Sequence, residues 1–236
     1  MGEVGSMDMV AMLGNVIPEL VLVVGGVVTL LWAVMAPRRW QVGASVIALI
    51  TIALSLGAAA ALLPGLEGAE RLNFADTYAR DGVAVWAKLI ILPATAVVIG
   101  LSVPWFRSDP RHGEYYTLLL FSALGAILLA GATDLKEFVV AMILSSATGY
   151  VLVGYHRLSS PGSEAAIKYY LIGAFVSAGM LIGVAFLYGL AGSTTLGVLD
   201  TGLSPTAGMG LILRGNNRTH ARVPWRTGPR PPIHRT

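Results

Sequence analysis

The stretch that decides the fold is AAIKYYLIGAFVSAGMLIGVAFLYGL, residues 165–190, which carries a single charge, on Lys168. As an α-helix this stretch is about 39 Å long, enough to cross a hydrocarbon core of about 30 Å. A lysine at mid-membrane depth costs about 2.5–3.5 kcal/mol, and such residues usually mark ion or proton pathways. A lysine near a helix end instead extends its amine to the headgroups. Because Lys168 lies one turn after Glu164, its spacing leaves both interpretations open.

The composition indicates a membrane protein. The chain has 236 residues, of which 55% are hydrophobic and 12% charged, whereas soluble domains carry about 25% charged residues. It has no cysteine, which excludes disulfides, thiolate chemistry and Cys-ligated metals. Its four histidines show no metal-ligand spacing. The N-terminus, MGEVGSMDM, is acidic and unlike a cleavable signal peptide, so we expect the first hydrophobic segment to remain as a span.

Hydrophobic runs predict six membrane spans, at residues 15–35, 42–63, 82–105, 115–132, 135–155 and 165–190. Each run is apolar for about twenty residues, whereas barrel strands alternate in polarity over about ten. The predicted fold is therefore an all-α, polytopic integral membrane helix bundle. Recurrent small residues, as in GAFVS at 173–177, predict close packing of the fourth to sixth spans.

Four further charged residues lie near span ends. Lys88 is within two turns of the start of its span, so we expect it to extend to the headgroups. Glu19 follows Pro18 at the entry of the first span and is expected to face the interface. Lys136 and Glu137 are expected to form a helix-end pair exposed to the headgroups.

The arginine distribution predicts the orientation. The loops after the first, third and fifth spans hold five arginines, at positions 38, 39, 107, 111 and 157. The opposite face holds Arg71 and Arg80, offset by four acidic residues, and Lys136 beside Glu137. Because cytoplasmic loops are enriched in arginine and lysine, the N-terminus is predicted to lie outside.

The end of the chain departs from this pattern. Residues 206–213 open like a seventh span, which is aborted at Arg214, and residues 214–236 hold six arginines and no acid. We interpret residues 1–213 as a membrane domain and 214–236 as a disordered basic tail. A basic tail can bind anionic lipid or nucleic acid, but this orientation places it away from both, and a cytoplasmic tail would require the reverse orientation. An Arg/Pro-rich sequence that begins mid-helix is best explained by a reading-frame shift.

Two stretches carry a family resemblance: EYYTLLLFSALGAILLAGATDL at Glu114–Leu135 and SEAAIKYYLIGAFVSAGMLIGVAFLYGLAGSTTL at Ser163–Leu196. Both closely resemble subunit N of the proton-pumping NADH–quinone oxidoreductase, respiratory complex I. Pro18-Glu19 and the stretch 81–88 give weaker support. The resemblance runs from about residue 10 to 213 and implies the N-terminal part of a longer subunit.

The resemblance implies a role in proton translocation coupled to electron transfer from NADH to quinone. It also implies other membrane subunits as partners, no nucleic-acid partner, and a multi-pass location in the bacterial inner (plasma) membrane, within the lipid bilayer. FMN, iron–sulfur clusters and quinone are implied only for the whole complex, with no cofactor and no catalytic centre in this chain. Lys168 falls on a family lysine in a Lys-Tyr-Phe-like motif, which makes it the candidate for the proton path.

The sequence departs from the family at two positions. Ile143 stands where the family carries a glutamate in its fifth span, and the chain leaves the seventh span before that span's lysine. Two alternatives therefore stay open: a cation/proton antiporter subunit, or an inert truncated remnant.

Overall fold

The computed structural model describes residues 14–37, 40–63, 71–73, 78–80, 82–106, 113–155, 160–197 and 199. Within them are six helices long and apolar enough to cross a membrane. In chain order they are α1 (Ile17–Met35), α2 (Val42–Ala61), α3 (Gly82–Trp105), α4 (Gly113–Gly131), α5 (Leu135–Val153) and α6 (Ser160–Ala191). The prediction of an all-α, six-span membrane bundle is confirmed.

The helix bounds agree with the predicted spans to within two residues at most ends, but α6 begins earlier. The sixth span is predicted to begin at residue 165, whereas α6 starts at Ser160 and contains Pro161 and Gly162 in its first turn. Proline is tolerated there because the first backbone N–H groups of a helix have no intrahelical acceptor. With 32 residues, α6 is about 48 Å long and exceeds the thickness of a hydrocarbon core.

A small antiparallel hairpin lies in the connection between α2 and α3. Its strands are β1 (Arg71–Asn73) and β2 (Tyr78–Arg80), with Arg71 paired to Arg80 and Asn73 to Tyr78. The all-α prediction did not include it. Three-residue strands are too short to show a polarity pattern.

The core lies between α1, α2, α3 and α4. Its buried residues include Leu22, Ile52, Leu92, Tyr116 and Leu120. Other helices bury much less of the surface of the last two helices. In α5 the buried residues are Leu135, Ala141 and Thr148, and no described side chain of α6 is buried.

The predicted close packing of the last three spans holds for α4 against α5, and the small residues Gly154 and Gly173 bring α5 and α6 together. A Cβ added at Gly125 of α4 would lie 2.7 Å from the backbone nitrogen of Ser145, so only glycine permits this approach. Among the described helices, α6 packs mainly against α5, through contacts such as Gly173 against the ring of Tyr150. The aborted seventh span at 206–213, the tail at 214–236 and the five arginines in the loops after α1, α3 and α5 lie outside the described residues.

Candidate functional site

A buried ion pair joins the beginnings of α1 and α3. Nζ of Lys88 lies 2.7 Å from Oε1 of Glu19, and the two side chains are 2% and 4% exposed. The expectations that Lys88 extends to the headgroups and that Glu19 faces the interface are therefore wrong. Each side chain instead turns into the bundle, because the other neutralises its charge there.

Local sequence places both residues on buried faces. Glu19 lies in the first turn of α1 beside Pro18, where a carboxylate is favoured by the positive end of the helix dipole. On α3, Lys88 shares a stripe with Val85, Leu92 and Ile99, which are all buried. The spacing of three, four and seven residues is that of one helix face, but the other face of α3 is equally apolar, so this spacing is only a weak sequence signal of a buried lysine.

The ion pair lies at the end of the bundle where α1, α3 and α5 begin, hereafter the α1 end. Ser55, near the end of α2, donates a hydrogen bond of 2.9 Å to the backbone oxygen of Pro18. Glu137 lies in the first turn of α5, which begins at this same end. Residues far apart in sequence thus meet at one end of the membrane-spanning bundle.

The sequence predicts that Glu137 and Lys136 form a pair exposed to the headgroups, and for Glu137 this prediction is wrong. Its Oε2 is buried, and among the described residues no hydrogen-bond partner reaches that atom. Lys136 is 69% exposed, as expected, but its ammonium lies 3.8 Å from Oδ2 of Asp134. The ion pair is therefore between Lys136 and Asp134.

Asp134 anchors the start of α5. Its Oδ1 accepts a hydrogen bond of 2.8 Å from the backbone N–H of Lys136, which caps the helix. Its Oδ2 accepts one of 2.7 Å from the hydroxyl of Thr194. The backbone continues the contact, since Leu135 donates to the oxygen of Thr194 and Leu196 donates to the oxygen of Thr133, both at 2.9 Å. These hydrogen bonds therefore hold the segment after α6 against the start of α5.

Lys168, the residue predicted from sequence, lies elsewhere. Its ammonium is 2.5 Å from Oε1 of Glu164, and the two side chains are 69% and 66% exposed. Because α5 and α6 are antiparallel, with Thr195 beside Asp134 and Gly173 beside Tyr150, Lys168 lies toward the end opposite the α1 end. Ile143, at the position of the missing glutamate, is 47% exposed on the surface of α5. The structure does not bring Lys168 to the Glu19–Lys88 pair.

The described residues contain no group of three or more His, Cys, Asp or Glu side chains that could hold a metal ion. The ionisable groups of the site are the amine of Lys88 and the carboxyl groups of Glu19 and Glu137. An amine and carboxylates held out of water can transfer protons when a neighbouring charge changes.

Comparisons of this sequence with a family profile and with individual proteins point to the same family. The family profile described as "NADH:quinone oxidoreductase/Mrp antiporter, TM" matches residues 132–216. NADH-quinone oxidoreductase subunit N of Sphingopyxis alaskensis is 37% identical over 204 residues, which are 86% of this chain and 42% of that protein. Subunit N of Trichlorobacter lovleyi is 35% identical over 183 residues, 77% of this chain and 37% of that protein.

Two solved structures share the fold. A chain of respiratory complex I from Thermus thermophilus superimposes with a TM-score of 0.64 and 30% identity, covering 88% of this chain and 45% of that one. A chain of an archaeal membrane-bound sulfane sulfur reductase superimposes with a TM-score of 0.72 at 18% identity, over 86% of this chain and 44% of that one. The chain spans less than half the length of each of these four proteins.

Proposed function

Because this chain belongs to the family of membrane subunits that includes subunit N of NADH–quinone oxidoreductase, we propose that it contributes to proton translocation coupled to electron transfer from NADH to quinone. The observation that carries the proposal is the Glu19–Lys88 pair, held within the bundle at 2.7 Å. Ionisable groups inside membrane segments are costly and are typical of proton pathways. Other membrane subunits of a respiratory complex are the partners.

Lys168 is a second element of the proposed proton path. It lies about 12 Å along α6 from the first residue of that helix, deeper than the first turn, where a lysine reaches the headgroups most easily. The relatives are more than twice as long as the match, and additional protein packed on α6 would remove Lys168 and Glu164 from lipid. A desolvated lysine can then release its proton to a neighbouring carboxylate.

Oxidation of NADH and reduction of quinone are assigned to other subunits. In this proposal FMN, iron–sulfur clusters and quinone belong to the rest of the complex, and this chain receives energy from them as a change of charge or conformation. Its location is the bacterial inner membrane. The excess of arginine in the loops after α1, α3 and α5 favours an N-terminus on the outer side, which puts the α1 end toward the outside.

Cation/proton exchange is the second candidate, favoured by the family description, which includes Mrp antiporters. It predicts that a sodium gradient alone moves protons in vesicles that contain this chain. The coupled pump instead predicts proton movement that requires NADH. The third interpretation, favoured by the isoleucine at position 143, is a remnant without transport activity. It predicts no proton movement with either a sodium gradient or NADH.

The proposal is tested in inverted membrane vesicles from cells that carry this gene, by following NADH-driven acidification with a pH-sensitive dye and NADH oxidation in parallel. We expect Glu19→Gln and Lys168→Ala each to lower the acidification per NADH oxidised, with normal amounts of assembled complex. Lys136→Gln is the matched control, since its side chain is exposed. Unchanged acidification in Glu19→Gln contradicts the proposal, and unchanged acidification in Lys168→Ala removes that residue from the path.

A further inference from the structure

The half-covered residues of α6 lie on one face of that helix. Most of them recur at intervals of three, four or seven residues, as expected for a single face, and they include Ala166, Gly173, Ser177, Met180, Val184 and Leu187. Among the described helices, α6 packs mainly against α5. Contacts with α5 fall on this same face, since a Cβ at Gly154 would lie 3.0 Å from Cβ of Ala166. This face is therefore the one that α6 turns toward α5.

Tyr150 of α5 packs against this face at Gly173. A Cβ at Gly173 would lie 2.6 Å from Cζ of Tyr150, so the phenol ring fills the space that the missing side chain leaves. The ring makes edge contacts with Tyr169, at a centroid distance of 5.1 Å and 77°, and with Tyr170, at 5.6 Å and 86°. These two tyrosines are about 100° apart around α6. Tyr150 therefore lies between two rings, and rotation of α6 in either direction would push one of them against it.

Lys168 lies on the other side of α6. At about 100° per residue, it is about 140° around the helix from Gly173, so it lies on the side away from α5. It pairs with Glu164, one turn earlier on the same side, at 2.5 Å. The direction of this ammonium is therefore set by the rotation of α6 about its own axis.

Few other contacts among the described residues oppose rotation of α6. No described side chain of this helix is buried, and its α5-facing side carries small residues such as Ala166 and Gly173. In lipid, apolar character does not favour one face of a helix over another, because lipid tails are as apolar as the side chains. The rotation therefore depends on interlocking shape, which here is the ring of Tyr150 over Gly173.

We propose that Tyr150 is a positioning residue for Lys168. Its ring, packed between two tyrosines of α6, fixes the rotation of that helix and keeps the ammonium beside Glu164 on the face away from α5. The inference rests on the proposed function for its use, because it assigns the orientation of the second element of the proton path. It implies that groups which exchange protons with Lys168 approach from this outer face and not from α5.

The rotation is measured by disulfide cross-linking of the full chain in membranes, since the chain has no cysteine of its own. Gly154→Cys with Ala166→Cys should cross-link rapidly on mild oxidation, because Cβ atoms 3.0 Å apart need to separate by only about 0.5 Å to reach disulfide geometry. Gly154→Cys with Lys168→Cys should cross-link slowly, because position 168 lies away from α5. In Tyr150→Ala we expect the 154–166 rate to fall several-fold and the 154–168 rate to rise several-fold.

Three further variants control this measurement. Tyr150→Phe keeps the ring and should retain the original pattern, which separates the ring from the hydroxyl group. Tyr150→Leu keeps an apolar side chain of moderate size for folding and should show the same change as Tyr150→Ala. Val151→Ala is the matched control, since it shortens the next side chain of α5, which is exposed, and should leave both rates unchanged. A 154–168 rate that fails to rise in Tyr150→Ala and Tyr150→Leu overturns the proposal, whether or not the 154–166 rate falls.

NADH-driven acidification in inverted vesicles tests the consequence for Lys168. Tyr150→Ala should lower the acidification per NADH oxidised about as much as Lys168→Ala, and the double variant should lose no more than Lys168→Ala alone. A merely structural role would add its own loss to that of Lys168→Ala, and an additive loss therefore overturns the positioning role. If the cross-links shift as expected and Tyr150→Ala vesicles acidify normally, Tyr150 still orients α6, but Lys168 is outside the proton path and that part of the proposed function fails.

Discussion

The carboxylate of Glu19 stabilises the ammonium of Lys88 inside the bundle. A single ion transferred from water to an apolar interior costs several kcal/mol even after relaxation, and the attraction between two such ions offsets this only in close geometry. At 2.7 Å the pair meets that requirement. The contribution of each residue to the stability of the bundle therefore depends on the other residue.

The first prediction concerns this dependence. Lys88→Met leaves Glu19 without its ammonium and should lower the free energy of unfolding in detergent by about 3–5 kcal/mol. The double variant Glu19→Leu/Lys88→Met should recover most of the loss, because two apolar side chains of similar volume replace the pair. Thermal unfolding followed by circular dichroism measures both variants, and additive losses would show that the two side chains do not interact.

Sequence reasoning singled out Lys168 as the proton-path candidate and predicted the wrong surroundings for Lys88, for a physical reason. In a membrane helix the lipid-facing side is as apolar as the buried side, so hydrophobic periodicity gives little contrast between the two faces of α3. The spacing of Lys88 from Leu92 and Ile99 was visible, but its partner Glu19 lies on another helix. Pairing between helices depends on their packing, and one sequence does not reveal which faces meet.

At the scale of elements, the bundle relies on two close contacts around α5. Gly125 lets the backbones of α4 and α5 meet, and Thr194 and Asp134 fasten the segment after α6 to the start of α5. The hydrophobic length of each span was sufficient to predict the helices. The glycine pattern predicted a close contact but not which pair of helices makes it.

The second prediction concerns the contact between α4 and α5. Gly125→Ala places a methyl group against the Ser145 backbone and should cost about 1–3 kcal/mol of stability through overpacking. Gly100→Ala is the control, because nothing lies within 4 Å of a Cβ at that position of α3 and alanine favours a helix by about 1 kcal/mol. Equal melting temperatures for the two variants would contradict the close approach.

The third prediction concerns the segment after α6. Thr194→Val removes the hydroxyl that donates to Asp134, and losing a hydrogen bond to a charged group costs about 1.5–3 kcal/mol. Hydrogen–deuterium exchange should therefore accelerate in the first turn of α5. Thr95→Val is the control, since its hydroxyl bonds only within α3, to Ile91, and its effect on α5 should be absent.

At the scale of the whole molecule, burial is uneven. The four-helix core of α1 to α4 is packed, whereas α6 presents large apolar side chains on all sides, with Phe175 82% exposed. Lipid can cover such a surface, and so can additional protein of the kind the longer relatives contain. Composition was enough to predict a membrane bundle, while the hairpin β1–β2 and the early start of α6 depended on local backbone geometry that hydropathy does not report.

The fourth prediction concerns orientation. The chain has no cysteine, so a single introduced cysteine reports its own side of the membrane. Lys136→Cys at the α1 end should react with a membrane-impermeant maleimide in cells whose outer membrane has been permeabilised, whereas Glu114→Cys should react only in inverted vesicles. The opposite labelling pattern would place the N-terminus in the cytoplasm.

The most direct test of the buried pair as part of a proton path is a charge exchange. NADH-driven acidification would be measured in inverted vesicles for Glu19→Lys, for Lys88→Glu and for the two substitutions combined. Each single variant places two like charges in the bundle and should lose proton transport, whereas the combined variant restores opposite charges and should regain a substantial part of it. Full acidification in either single variant, or no recovery in the combined one, would contradict the account.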